Sequence, residues 1–323
     1  MSPNIAVADI GGTHARFALA EVKGGRVISL GEAITLRTSD HDGLSSAWGE
    51  FRRLAGSPLP NRLALAFAGS IGDKTLKLTN SQWAILPNLL QEQLGIGQVS
   101  IVNDFGAVAH AVAQLGPEFF EHCCGPEVPL PLSGPISVIG PGTGLGVAQL
   151  LRTTGGYQVI ETEGGHIDFA PLDPVEDQIL ERLRRFHGRV SVERVVSGSG
   201  FANLYEAMAA IKGGEAAVAE IETIWSAALA GSDPLSVAAL DRFFLSFGAV
   251  AGDLALAHGA KAVVIAGGLG YRLKRHLAAS GFSGRFVAKG RFRERMEAIP
   301  VKLLDHPQPG LYGAAAAFAK EHQ

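Results

Sequence analysis

Apolar residues fall along this chain in short runs cut by glycine, and one such pattern occurs twice. The first copy is Val7-Ala8-Asp9-Ile10-Gly11-Gly12-Thr13-His14-Ala15-Arg16-Phe17-Ala18-Leu19. Apolar runs on either side of a glycine break predict a strand, a tight turn and a second strand. The second copy is Ile136-Ser137-Val138-Ile139-Gly140-Pro141-Gly142-Thr143-Gly144-Leu145-Gly146-Val147-Ala148. At an offset of 130, Gly12-Thr13 falls on Gly142-Thr143 and Ala18 on Ala148. Two similar domains, each presenting a Gly-Thr turn, could hold one phosphate chain from both sides.

Between the copies the pattern predicts a third strand over residues 26–36, a helix over 44–54, a strand over 62–67 and a helix over 87–94. A strand over 98–102 then ends at Asn103-Asp104, before an Ala-rich helix over 105–115. The proline-rich segment 123–135 reads as a linker. Beyond the second hairpin, Asp173-Pro174-Val175-Glu176 has the signature of a helix start, with Asp as N-cap and Pro in the first turn. Further helices are expected over 201–210, 216–230 and 235–258, strands over 261–266 and 300–303, and a closing helix over 311–321. Strands alternating with helices indicate an α/β fold with parallel strands in the sheet.

Length allows about two domains for 323 residues. The net charge of −3 and the lack of a dense Lys/Arg run give no field for nucleic acid. No apolar run approaches the roughly 18 residues that span a bilayer. A strand beginning near Asn4 leaves no room for a signal peptide, and the adjacent Cys123-Cys124 pair offers no disulfide framework. A cytoplasmic protein without nucleic-acid or membrane partners is expected.

Three groups of residues could carry chemistry. Glycines at a turn tip let backbone N–H groups approach an anion, Thr13 adds a hydroxyl, and Asp9 can face the accompanying cation directly or through water. Asn103-Asp104 stands at the carboxyl end of a strand, where open α/β sheets bind ligands; Asp104 is either a general base or a helix N-cap. Glu163-Gly164-Gly165-His166 has a metal-like spacing, but its glycines argue against a helix, so a Gly-rich loop that hydrogen-bonds a polyol fits better. Glu193 could join that loop, or be a surface charge beside Arg194; Gly267-Gly268 could lie on an adenine face or cap a helix.

Taken together, these segments resemble the bacterial ATP-dependent glucokinases of the hexokinase-like, actin/Hsp70-type superfamily. The resemblance runs through Ala8 to Thr13 with Ala15 to Phe17, Thr79-Asn80 with Trp83, and Asn103 to Phe105. It continues through Gly140 to Gly146, Glu163 to His166 with Asp168 to Pro171, and Ser191 to Arg194 with Ser197-Gly198. Asn203 to Tyr205, Ile265 to Gly268, Ile299 to Val301 and Gly310 to Ala315 complete it in family order. His14 stands where the family commonly has Asn, and Ser70-Ile71 where it has Pro-Val. The clustered-cysteine zinc motif of the ROK sugar kinases is absent from the sequence.

The resemblance implies a two-domain, actin-like (ribonuclease H-like) α/β fold with a cleft between a small domain, 1–115 plus 308–323, and a larger one, 116–307. It implies Asp104 as general base on the glucose 6-hydroxyl, with Asn103, Glu163, His166 and Glu193 on the other sugar hydroxyls. ATP phosphates would lie on Ala8, Asp9, Ile10, Gly11, Gly12 and Thr13, with Gly142-Thr143 opposite and Gly267-Gly268 near adenosine. Asp9 would orient hydrated Mg²⁺, and the protein would be a homodimer. Competing readings are a kinase for another hexose, a sugar-responsive regulatory protein without turnover, and an unrelated ATPase.

Overall fold

The glycine-broken pattern at the N-terminus becomes a hairpin. In the computed structural model, which describes residues 4–56, 58–69, 75–78, 83–216 and 219–323, Ile5–Ile10 forms β1 and His14–Lys23 forms β2, antiparallel with Val7 opposite Ala18. The single third strand expected over 26–36 is two strands. β3 (Arg26–Leu30) pairs with the end of β2, and β4 (Ile34–Arg37) pairs with its beginning. Leu30 lies opposite Ala20 and packs with it on one face of the sheet, whereas Ile34 lies opposite Phe17 and packs on the other. The register slip around Gly31 flips the apolar positions to the other face, which a continuous apolar reading cannot show.

Helix α1 (Leu44–Ala55) covers one face through Trp48 and Phe51, the latter stacked 5.1 Å from Phe17. β5 (Arg62–Phe67) joins β1 in parallel. A small ribbon, β6 (Leu76–Lys77) with β7 (Ala84–Ile85), leads to α2 (Leu90–Leu94), β8 (Gln98–Asn103) and α3 (Asp104–Gln114). The sheet order is β3-β2-β1-β5-β8, with β4 also beside β2. Thr79-Asn80 and Ser70-Ile71 lie outside the described residues.

The chain divides into two compact units, Met1–Gly116 with His306–Gln323, and Pro117–Asp305. The segment expected as a linker lies inside the second unit, because Cys123 and Cys124 end β9 (Phe120–Cys124) and Gly134 begins β10 (Gly134–Pro141). β11 (Leu145–Thr153) and β12 (Gly156–Thr162) extend a meander. Helices α4 (Pro174–His187), α5 (Gly198–Ile211), α6 (Ile221–Ala230) and α7 (Pro234–Ala257) follow, with Asp173 capping α4 as its sequence predicts.

Then come β13 (Ala262–Ile265), α8 (Gly268–Ala279), α9 (Phe282–Val287), α10 (Arg293–Glu297) and β14 (Val301–Leu304). The strand order β12-β11-β10-β13-β14-β9 repeats the first sheet's plan of an antiparallel meander followed by parallel strands. The turns differ. Ile10 opposite Ala15 closes residues 11–14, whereas Pro141 opposite Leu145 closes only 142–144. The offset of 130 therefore fits the returning strands, and the leading strands need one residue more.

Contrary to the sequence expectation, α7 is long and apolar enough to cross a membrane by length and composition, yet 67% of its apolar window is buried. Its Phe243, Phe244 and Phe247 are fully enclosed in the second unit's core, each worth about 1.5–3 kcal/mol of burial. The chain then returns as α11 (Pro309–Glu321), which packs on α3 and β1 of the first unit. At that crossing a Cβ on Gly313 would collide with the Ala107 carbonyl oxygen, so only glycine allows the two helices to come so close.

Candidate functional site

In the first unit, the carboxyl end of β1 carries Asp9 opposite Arg16 of β2. The Asp9 side chain is 22% exposed, and its Oδ2 lies 3.6 Å from Arg16 Nη1. Burial raises its pKa above the usual carboxylate range, and the Arg16 guanidinium partly offsets that. The first turn of α11 sits against the same carboxylate: a Cβ on Gly310 would lie 2.6 Å from Asp9 Oδ2.

The neighbouring turn is braced from below. Thr38 donates its hydroxyl to the Gly12 carbonyl at 2.7 Å and its amide to the Thr13 carbonyl at 3.1 Å. Gly11 N–H closes the turn on the His14 carbonyl at 3.0 Å, while the Thr13 tip is exposed. Thr38 is buried, so the brace is rigid; no sequence motif pointed to it.

At the end of β8, Asn103 and Asp104 divide the two roles left open for the acid. Asn103 is the N-cap of α3, with Oδ1 accepting from Phe105 N at 2.9 Å and Gly106 N at 3.0 Å. Its Nδ2 donates to the Gly69 carbonyl at 3.2 Å. Asp104 is the first helical residue rather than the cap, half-buried, with Oδ1 accepting from Phe105 N at 2.8 Å.

In the second unit, the 142–144 turn is held by two elements the sequence did not connect to it. Gly198 N at the start of α5 donates to the Gly142 carbonyl at 2.7 Å. Glu193 Oε2 accepts from Leu145 N at 2.8 Å, and a Cβ on Gly144 would collide with that oxygen. Glu193 is thus a half-buried group tied to the turn, which corrects its reading as a surface charge beside Arg194. Gly267 closes the same corner with φ of +86°, where a Cβ would stand 3.2 Å from the Pro141 carbonyl, and Gly268 opens α8.

Glu163 and His166 flank a single 3-10 turn, as the glycines between them allow. Gly165 lies against the Leu145 carbonyl and Gly164 against Val147, which fixes this turn on β11. His166 Nε2 and Glu163 Oε2 are 4.0 Å apart, with side chains 56% and 62% exposed. Among the described residues no group of three or more His, Cys, Asp or Glu side chains could hold a metal ion.

The structure therefore gathers Asp9, residues 10–13 and, separately, Asn103-Asp104 at strand ends of the first unit. It gathers Gly142-Thr143, Glu163, His166, Glu193 and Gly267-Gly268 around the end of β10 in the second. Missed by sequence reasoning were Thr38, Gly198 and the approach of Gly310 to Asp9; only the quoted motif glycines hinted at the last two.

Several glycines here are not explained by the protein itself. A Cβ on Gly142 or Gly268 would meet nothing within 4 Å, and one on Gly11 would meet only His14 O at an ordinary 3.6 Å. None of the three has a positive φ. Neither backbone conformation nor internal packing demands glycine there, and each leaves room over the backbone. In the first unit Asp9, just ahead of the 11–14 turn, is a carboxylate suited to a cation held mainly by phosphate and water rather than by a protein cage.

A family model described as glucokinase matches residues 6–321. A glucokinase of Zymomonas mobilis is 56% identical over 318 residues, covering 98% of each chain. One from Paramagnetospirillum magneticum is 42% identical, covering 98% of this chain and 97% of its own. Among solved structures, a glucokinase from an Antarctic psychrotroph superposes with a TM-score of 0.83 at 34% identity, covering 98% of this chain and 99% of the other. A ROK family glucokinase from Streptomyces griseus, in complex with glucose and AMPPNP, has a TM-score of 0.65 at 20% identity over 97% and 98% of the chains. This last likeness speaks for the actin-like fold alone.

Proposed function

The chain belongs to the glucokinase family, the ATP-dependent hexose kinases, and from that premise we propose how its residues transfer the γ-phosphoryl group of ATP to the 6-hydroxyl of D-glucose. Phosphoryl transfer asks a protein to position two substrates, take one proton and neutralise phosphate charge. Asp104 takes the proton of the 6-hydroxyl as that oxygen attacks the γ-phosphorus, and ADP leaves. Asn103, Glu163 and His166 hold the other sugar hydroxyls.

The turns at Gly11-Gly12-Thr13 and Gly142-Thr143 receive the phosphates on backbone N–H groups, and Gly267-Gly268 leaves room for adenosine. The observation that carries this reading is the set of glycines at 11, 142 and 268, which nothing in the protein requires. Glu193 is bonded to Leu145 N beside the second turn, so it serves sugar and turn together: one carboxylate oxygen anchors the backbone and the other faces ligand. Mg²⁺, when bound, neutralises phosphate charge, with Asp9 holding it through water. A cytoplasmic homodimer is part of the same proposal, on the strength of the family.

A coupled ADP-release assay with Mg-ATP against glucose, mannose, fructose, N-acetylglucosamine and no sugar tests it. Turnover highest with glucose is expected. Turnover highest with another sugar would move the specificity, and ADP release that is the same without sugar would overturn the reading.

A further inference from the structure

The only two cysteines of the chain are adjacent, at the end of the edge strand β9. Successive residues of a regular strand point to opposite faces. Here the strand is irregular: Cys124 lies opposite Val301 and His122 opposite Lys302, so Cys123 is an extra residue without a partner on β14. Such a bulge re-aims side chains and breaks the alternation. Its effect is that both sulfurs pack against the same apolar core and the two thiols hydrogen-bond each other. Gly125, at φ +76° against the Ile299 carbonyl, pins the backbone that follows.

Both cysteines are half-buried. Cys123 lines a cavity of about 210 Å³ whose walls include His122, Lys274, Leu277, Ala278 and Leu303. The leucines and the alanine give it apolar wall enough for a small aromatic group. Two sulfurs packed on the same core, the Cys123 side opening on such a cavity, form a bidentate soft ligand.

We propose that Cys123 and Cys124 of the folded protein form a dithiol site for trivalent arsenicals, with the organic substituent in the adjoining cavity. With an arylarsine oxide the step is a condensation. Two S–H bonds break, two As–S bonds form, the oxo group leaves as water, and arsenic stays trivalent throughout. The Cys124 sulfur accepts hydrogen bonds from the Cys123 thiol and from Ser283, which lowers its pKa, while Cys123 as donor is raised. Once one sulfur is bonded to arsenic, the other is already within reach for the second bond.

The test is retention of phenylarsine oxide by the native protein through gel filtration, with 2,3-dimercaptopropanol and a monothiol as stripping agents. One equivalent per chain is expected, removed by the dithiol and not by the monothiol. Cys123→Ala and Cys124→Ala should each retain less than about a tenth of an equivalent, since one thiolate holds arsenic too weakly. Adjacent cysteines also capture arsenic in an unfolded chain, so the wild type is compared in and out of urea. Capture only in urea would overturn the proposal without any variant, and so would undiminished retention by either single variant.

Discussion

Asp9 and Asp104 are both acids at strand ends, and their surroundings set them to different work. Asn103 has taken the N-cap of α3, and Asp104 is its first helical residue. Asp104→Asn should therefore leave the helix intact and lower kcat by roughly 10²–10⁴-fold with glucose affinity largely kept. A variant retaining more than about a tenth of the activity, measured alongside glucose binding by calorimetry, would remove Asp104 as the base. Glu163→Gln should raise the KM for glucose with a smaller change in kcat; an unchanged KM would take Glu163 out of the sugar site. Asp9 carries a stability cost: burial holds its pKa above the ordinary 3.8, so the folded state keeps this proton more tightly than the unfolded chain does. The ionised carboxylate thus destabilises the ligand-free fold at neutral pH, and the penalty vanishes as pH falls through the raised pKa. Asp9→Asn should melt higher than the parent at neutral pH and lose that gain in acid, while losing turnover.

At the scale of elements, the crossing of α3 and α11 is the tightest contact described, and it depends on Gly313. Gly313→Ala would drive a methyl group into the Ala107 carbonyl, a backbone atom that cannot rotate away. It should cost about 1–3 kcal/mol or more in urea unfolding. The same helix pair carries a pH dependence. His110 on α3 is pushed down to about 4, by burial first and by Lys320 second. Its neutral form belongs to the folded state, so the stability it contributes is complete above the ordinary 6.5 and is lost as pH falls from there toward 4. Melting temperature should drop between about pH 7 and pH 5, and His110→Gln should flatten that drop. Elements of this kind were readable in the chain where one signal dominated. Asp173-Pro174 opened α4 as expected, and the apolar run before Gly267 became β13. The split of β3 from β4 was not readable, because apolar Ala33 and Ile34 continue the run while Ile34 packs on the face opposite to Leu30. Nor was the site's bracing, since Thr38 on the first turn and Gly198 on the second meet their partners only through folding.

At the scale of the whole chain, the two units are made differently. Pro117–Asp305 is one continuous stretch, whereas the first unit needs His306–Gln323 to complete it. A fragment spanning 117–305 should fold alone and show dispersed amide resonances. A fragment of residues 1–116 should not, because the faces of β1 and α3 that α11 covers would be bare. Supplying 306–323 through a short linker should restore its cooperative melting; a fragment of 1–116 that melts cooperatively by itself would refute this.

That arrangement also orders events at the ribosome. The first strands to be made belong to a unit whose last helix is synthesised only after the whole second unit. They wait while residues 117–305 are added, about 10–40 s at usual translation speeds. The second unit can close during that interval, and the first cannot. A message cut short just before α11 therefore yields a chain with one finished half and one open to proteases. Until α11 arrives, no Gly310 lies against Asp9, and the cell makes no partial kinase.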